Sequence, residues 1–445
     1  MRGRSICPLT KKRPSSPLTP ASWPALGDRR RWCRARASAS CVAAAASVAL
    51  LAQGCRATYT STVQPQPLPR KAGLAAGSVP EALSLPEGEI DIGRAALLVA
   101  REDRPDLDVD GYVRRLDDLA ARLRRRLPPG ATVHEAVSRL VEVVQPAASV
   151  AARPSVPAGG VSTLPPEIDL ARILDGEPGN CLGLSLLYLA VAERVGIPMR
   201  GVSAPEHFFV RFDDGVSRVN AEPTRDGRPV PDRVYRQRRG ISAESIARGV
   251  YLRSESKRQV LASLLANRAG YRALAGRLDD AFADAERALA VKPYWPQGYV
   301  NRGLAHELAG RRREADADYN RAIQIDPCCV GALNNLAALY ARGRAAGPSE
   351  DTAGGQCSSE EGRPAPGDLG SAEELIQRAL RLAPSRPEIL ETAAAVAVAQ
   401  GKLRAARGRL RRALRLDPAN ERLAGKLNEV EARLSGGPGP EGDVR

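Results

Sequence analysis

The sequence predicts two folded parts in series, an α+β domain followed by an all-α solenoid of paired helices. Three features predict this. Pro293, Pro327, Pro384 and Pro418 are separated by 34, 57 and 34 residues. Ala281, Ala315, Ala372 and Ala406 repeat those intervals, and so do Ala288, Ala322, Ala379 and Ala413. One period shared by three series marks stacked helical units. Upstream, the aliphatic run from Leu182 to Val195 reads as a buried helix. It is followed by two strand-forming runs, His207 to Phe212 and Val216 to Thr224, flanking Asp213-Asp214-Gly215. Asp-Gly between such runs is a strong hairpin signal, and a helix with a hairpin is an α+β unit.

Composition sets the outer limits. At 445 residues with 43% apolar content the chain is ordinary globular protein, long enough for two or three domains. The net charge of +15 suggests a nucleic-acid partner at first sight. However, residues 1–54 hold ten basic residues and only one acid, Asp28, so the rest carries only +6. No later basic run is interleaved with aromatics, which argues against nucleic-acid binding.

The N-terminus reads as an export leader over 1–54. Arg29, Arg30, Arg31, Arg34 and Arg36 precede a small apolar run, Cys41 to Ala52, too short to span a membrane. The run ends in Leu51-Ala52-Gln53-Gly54-Cys55, which resembles a bacterial lipobox. That resemblance implies lipidation of Cys55, membrane association and a place in the cell envelope, facing the periplasm or outer membrane. Residues 55–88, rich in Thr, Ser, Pro and Gly, read as a flexible tether.

The first domain is expected over 89–255. Its helical lead-in shows one apolar face at Val109, Tyr112, Val113, Leu116, Leu119, Leu123 and Leu127, with Asp108 as N-cap. Thr132-Val133-His134-Glu135 has capping-box form and makes His134 a first-turn surface residue.

The array is expected over 262–434. Its small residues, the turn glycines Gly276, Gly310 and Gly401, and the closing prolines resemble the tetratricopeptide (TPR) consensus, giving four repeats. The central interval exceeds 34 by 23, so an insertion has entered the third repeat at about 343–368. Leu423, Leu427, Val430 and Leu434 mark a capping helix, and residues 435–445 are a tail. Repeats of this kind imply a protein or peptide ligand. His306 lies at a packing position within a repeat helix.

The chemistry is expected where the domain's helix begins. Cys181 stands in the first turn after Gly179-Asn180, where the positive end of a helix favours thiolate. If Asp214 and Gly215 form a two-residue turn, His207 sits opposite Glu222 and Asn220 opposite Phe209. A carboxylate can fix the histidine tautomer while the other ring nitrogen activates a thiol. No Cys or His pair has metal-ligand spacing, and no cofactor is implied. A disulfide between Cys328 or Cys329 and Cys357 would staple the insertion in an oxidising compartment.

Residues from about Gly93 to Arg253 resemble the bacterial transglutaminase-like proteins of the SirB type. The segments carrying the likeness are Ala96 to Glu102, Asp106 to Val109, Gly179-Asn180-Cys181 and Pro205-Glu206-His207-Phe208. The resemblance implies a papain/transglutaminase-like domain with a TPR solenoid behind it. It also implies Cys181 as nucleophile, His207 as base and Glu222 as third member, where that superfamily usually has Asp before Pro-Thr. The expected activity is thiol acyl transfer: peptidase or amidase with water, cross-linking with an amine. The rival is a non-catalytic scaffold lipoprotein whose papain-like domain only binds. A cytoplasmic assembly factor is a third reading.

Overall fold

A computed structural model describes residues 62–63, 75–145, 166–343 and 368–436, all within the unit Tyr59–Arg445. The leader with Cys55, most of the insertion with Cys357, and the end of the tail lie outside the described residues.

The first helices wrap a central one. α1 (Val79–Ser84), α2 (Ile92–Asp103), α3 (Val109–Arg126) and α4 (Val133–Val144) precede a 3₁₀ turn at Pro166–Ile168 and α5 (Leu170–Leu174). Asp108 caps α3 by accepting from Gly111 N, and Thr132 with Glu135 closes a capping box on α4. α6 (Cys181–Val195) is buried at every position from Leu182 to Val195. A helix apolar all round belongs in a core, and α2, α3 and α4 pack around it.

The segment read as a tether is in part structural. Val63 N donates to Ala131 O at 2.8 Å, and Thr62 bridges Thr132. Ser78 caps α1, Pro80 stands in its first turn, and Val79 and Ala82 are buried. Ser and Pro mark helix starts as readily as linkers. Tertiary bonds from Arg94 to Ala76 O and from Arg258 to Leu83 O then hold the segment on the domain.

β1 (Met199–Ala204), β2 (His207–Asp213), β3 (Arg218–Ala221) and β4 (Ser254–Glu255) form an antiparallel sheet in the order β3-β2-β1-β4. The β2/β3 turn is longer than expected. Asp213 pairs with Arg218 and Val210 with Ala221, so the loop is Asp214 to Ser217. The Asp214 carboxylate accepts from Val216 N and Ser217 N, which closes the four-residue loop. Pairing therefore shifts by two residues, and Glu222 is not opposite His207. An even shift keeps each side chain on its face. Asn220 pairs with Arg211 and binds its guanidinium at 2.7 Å, a structural role.

After α7 (Asp232–Arg239) and α8 (Ala243–Ala247) come the helical hairpins. They are α9 (Lys257–Leu274) with α10 (Leu278–Val291), α11 (Pro296–Leu308) with α12 (Arg312–Ile325), α13 (Val330–Gly343) with α14 (Leu369–Leu382), and α15 (Pro387–Ala399) with α16 (Leu403–Leu416). α17 (Glu421–Leu434) covers the last pair. All eight alanines of the two periodic series have no exposed surface, because a larger side chain there would part the helices. Gly276 turns between α9 and α10 at φ +77°, a left-handed conformation that only Gly adopts cheaply.

The array is bolted to the domain by buried charge. Arg268 donates to both Asp284 carboxylate oxygens, at 2.7 and 2.8 Å, and to Glu102 at 2.6 Å. Lys292 reaches Glu255 at 2.7 Å, and Tyr251 donates to Asp326 at 2.9 Å.

Candidate active site

Three elements converge on one cleft. Cys181 opens α6, and the Asn180 side chain caps the helix by accepting from Leu182 N and Gly183 N at 3.0 and 3.1 Å. The Asn180 N–H donates to Glu167 O, fixing the approach of the chain. A side chain at Gly183 would run into that same carbonyl, at 2.2 Å from its Cβ. The Gly-Asn-Cys-Leu-Gly run is thus a backbone device that presents Cys181, which remains partly exposed.

His207 begins β2 and lines the same cleft as Cys181, near enough for the two side chains to act on each other electrostatically. Its Nε2 meets Glu222 Oε2 at 2.6 Å, so Nδ1 is the ring nitrogen not engaged by the carboxylate. Glu222 reaches the histidine by leaving the ladder. β3 ends at Ala221, and Glu222 bridges Arg228 and caps the 3₁₀ turn Pro223–Arg225. The structure therefore brings together the three residues picked out in the sequence, although not by direct cross-strand pairing.

Other contacts hold the carboxylate. Thr224 Oγ1 donates to Glu222 Oε1 at 2.6 Å, and Tyr235 OH to Glu222 Oε2 at 2.7 Å. Tyr235 stacks on Phe209 with centroids 4.0 Å apart. Tyr235 carried no sequence signal, since α7 otherwise reads as a polar helix. Thr224 was visible only as the neighbour of Glu222-Pro223.

Charge in the site favours an ion pair. Burial works against the imidazolium, but Cys181 and Glu222 outweigh it and hold the His207 pKa at about 9. Burial would raise Glu222, but His207, Thr224 and Tyr235 bring it down to about 2. His306 differs: it packs on Phe282 at 4.7 Å, and burial lowers its pKa. His134 is exposed on the first turn of α4. Cys328 is partly buried and Cys329 buried, both as free thiols.

The cleft is about 960 Å³, and its walls come from both parts of the chain. Cys181, His207 and Thr224 line it from the domain. Tyr271, Trp295, Cys328 and Arg386 line it from the array. Glu206, next to His207, has φ +51° and binds Arg386 through both carboxylate oxygens, one bond measuring 2.7 Å.

Residues 110–266 match the family model of the transglutaminase-like superfamily, and residues 296–327 match a tetratricopeptide repeat. The chain carries a transglutaminase-like domain followed by a TPR-like helical region. Two curated relatives, described as UPF0162 proteins, come from Xylella fastidiosa strains Temecula1 and 9a5c. Each is 33% identical over 144 residues, covering 31% of this chain and 50% of the relative. The chain thus spans about half the length of the curated relatives it matches. Similar solved structures include a thermophilic TPR protein of Thermus thermophilus, 18% identical, with a TM-score of 0.31 over 38% of this chain and 81% of that one. Another is pilF of Pseudomonas aeruginosa, 16% identical, with a TM-score of 0.32 over 39% and 69% of the two chains. Repeats of this type serve protein–protein interaction in general.

Proposed function

We propose that the transglutaminase-like domain performs thiol acyl transfer on a polypeptide substrate recognised by the array. The observation that carries this reading is the His207–Glu222 bond beside Cys181 in a cleft shared with the repeats. The Cys181 sulfur, its proton already held by His207, attacks an amide carbonyl carbon. The developing oxyanion lies at the start of α6, where the Asn180 cap serves Leu182 and Gly183 and leaves the Cys181 N–H as a donor. His207 then gives the proton to the leaving amine as the C–N bond breaks, forming a thioester. Attack by water yields an acid, and attack by an amine yields a new amide; either restores the thiol. Glu222 holds the His207 tautomer and stabilises its cation.

Site-resolved alkylation tests this against the scaffold reading. At neutral pH iodoacetamide is expected to label Cys181 faster than Cys328 or Cys329, the second of which is buried with its thiol pKa pushed up to about 12. His207→Ala is expected to slow Cys181 by about tenfold or more, given typical contributions of a partner base. Labelling of Cys181 indifferent to His207 leaves a domain that only binds.

The Gly54-Cys55 junction supports a lipid anchor and residence in the cell envelope as part of the same proposal. Among the described residues no helix is long and apolar enough to cross a membrane. Cys55→Ala is expected to release the protein from the membrane fraction or leave its leader uncleaved, read by fractionation and intact mass. Unchanged membrane association and mass would remove the anchor.

A further inference from the structure

We propose that the Cys181 cleft continues into a basic groove on the array, and that the occupant is an acidic, extended segment of polypeptide. This rests on the acyl-transfer reading only in making that segment the substrate. The Asp, Glu, Lys and Arg side chains lining the cleft are Glu206, Arg238, Arg239 and Arg386, and Glu206 is spent on Arg386. A second groove of about 490 Å³, between α14, α15 and α16, is lined by Arg381, Arg409 and Arg412 and by no acid. Pro384 belongs to the walls of both, so the groove lies directly beside the cleft.

Elsewhere in the array some cations are neutralised at short range, Arg302 by Asp318, Arg422 and Lys426 by Glu391, and Arg411 by Glu431. Arg409 has Glu373 at 3.2 Å, but Arg238, Arg239, Arg381 and Arg412 have no carboxylate within 4.0 Å among the described residues. Arg412 donates to the Pro384 carbonyl, which neutralises nothing, and Arg238, Arg381 and Arg412 are exposed. Four guanidinium groups with no carboxylate within 4.0 Å among the described residues, two in the cleft and two in the groove beside it, form a field that draws in and orients carboxylates.

A polypeptide fits better than a nucleic acid. The array groove presents no aromatic side chain for a base to stack on, and the thiol at its far end acts on carbonyl carbon. A segment rich in Asp or Glu, laid along Arg381 and Arg412, would bring an amide past Arg386 to Cys181.

The test uses the full chain with Cys181→Ala, so that binding is read apart from chemistry. A fluorescent peptide of alternating Glu and Ser is titrated by anisotropy, beside the same peptide with Gln in place of Glu. The acidic peptide is expected to bind, more weakly as salt rises, and the Gln peptide to fail. Arg381→Gln with Arg412→Gln is expected to weaken binding about tenfold, and Arg404→Gln, exposed on α16 but outside the groove, to leave it unchanged. With Cys181 present, the acidic peptide is expected to slow its alkylation. Equal binding of the Gln peptide, indifference to the paired Arg changes, tighter binding of a single-stranded oligonucleotide, or binding that leaves Cys181 unprotected would overturn the proposal. Selective binding that depends on Arg381 and Arg412 and shields a slow-reacting Cys181 would support the groove and remove acyl transfer.

Discussion

Glu222 takes bonds from His207, Tyr235 and the Thr224 hydroxyl and amide, so both its oxygens are occupied in a nearly closed site. Such a carboxylate stays ionised, and although burial works against the imidazolium, Cys181 and this charge together hold His207 protonated. The signs for stability follow. The folded pKa of His207 is raised from 6.5 to about 9, so its contribution is full below pH 6.5 and lost as pH rises through 9. Glu222 falls from 4.5 to about 2, so its contribution is present above pH 4.5 and lost as pH falls through 2. Wild type is therefore expected to exceed a His207→Gln/Glu222→Gln variant most between pH 4.5 and 6.5, by roughly 3 kcal/mol. Urea unfolding at a series of pH values checks this; a difference flat from pH 5 to 10 would contradict the pairing. That Cys181, His207 and Glu222 belong to one neighbourhood was readable because a helix-start Cys, a strand His and a following acid are local signals. Tyr235 was not readable, because its role depends on a helix packing back onto Phe209, and no local pattern reports that.

At the scale of elements, α6 shows how much a few small residues fix. Gly183 admits the Glu167 carbonyl, Asn180 closes the cap, and Cys181 is left at the rim. The hairpin was legible as two strands and a turn, but its loop length was not. Asp214 can cap a longer turn as easily as Asp-Gly can form a short one, and only packing chooses. The tether was misread for a related reason, since Ser78 and Pro80 serve as cap and first turn once Arg94 and Arg258 hold the segment down. The repeat was the clearest signal, because each series alanine must be small wherever paired helices touch. α13 ends at Gly343 and α14 begins at Leu369, so the surplus length falls between two helices of one hairpin. Deleting 23 residues within 344–367 restores the 34-residue interval. It is expected to leave far-UV helical signal and cooperative thermal unfolding nearly unchanged; loss of cooperativity would mean the segment belongs to the core.

For the molecule as a whole, the array forms one side of the site. Arg268 has no exposed surface and ties α2 to the first hairpin, and Arg386 grips Glu206 beside the histidine. Joining the two parts this way puts residues of the repeats and Cys181 on the walls of one cleft. None of this docking was legible in the sequence, where Arg268 and Arg386 are two among many arginines. The central claim is that Cys181, served by His207, accepts an acyl group. Intact-mass and peptide-mapping measurements after brief exposure to a p-nitrophenyl acyl ester test it most directly. The account predicts one acyl group on Cys181 in the wild type, little in His207→Ala, and none at that position in Cys181→Ala. Acylation spread evenly over Cys181, Cys328 and Cys329, or unchanged in His207→Ala, would contradict it.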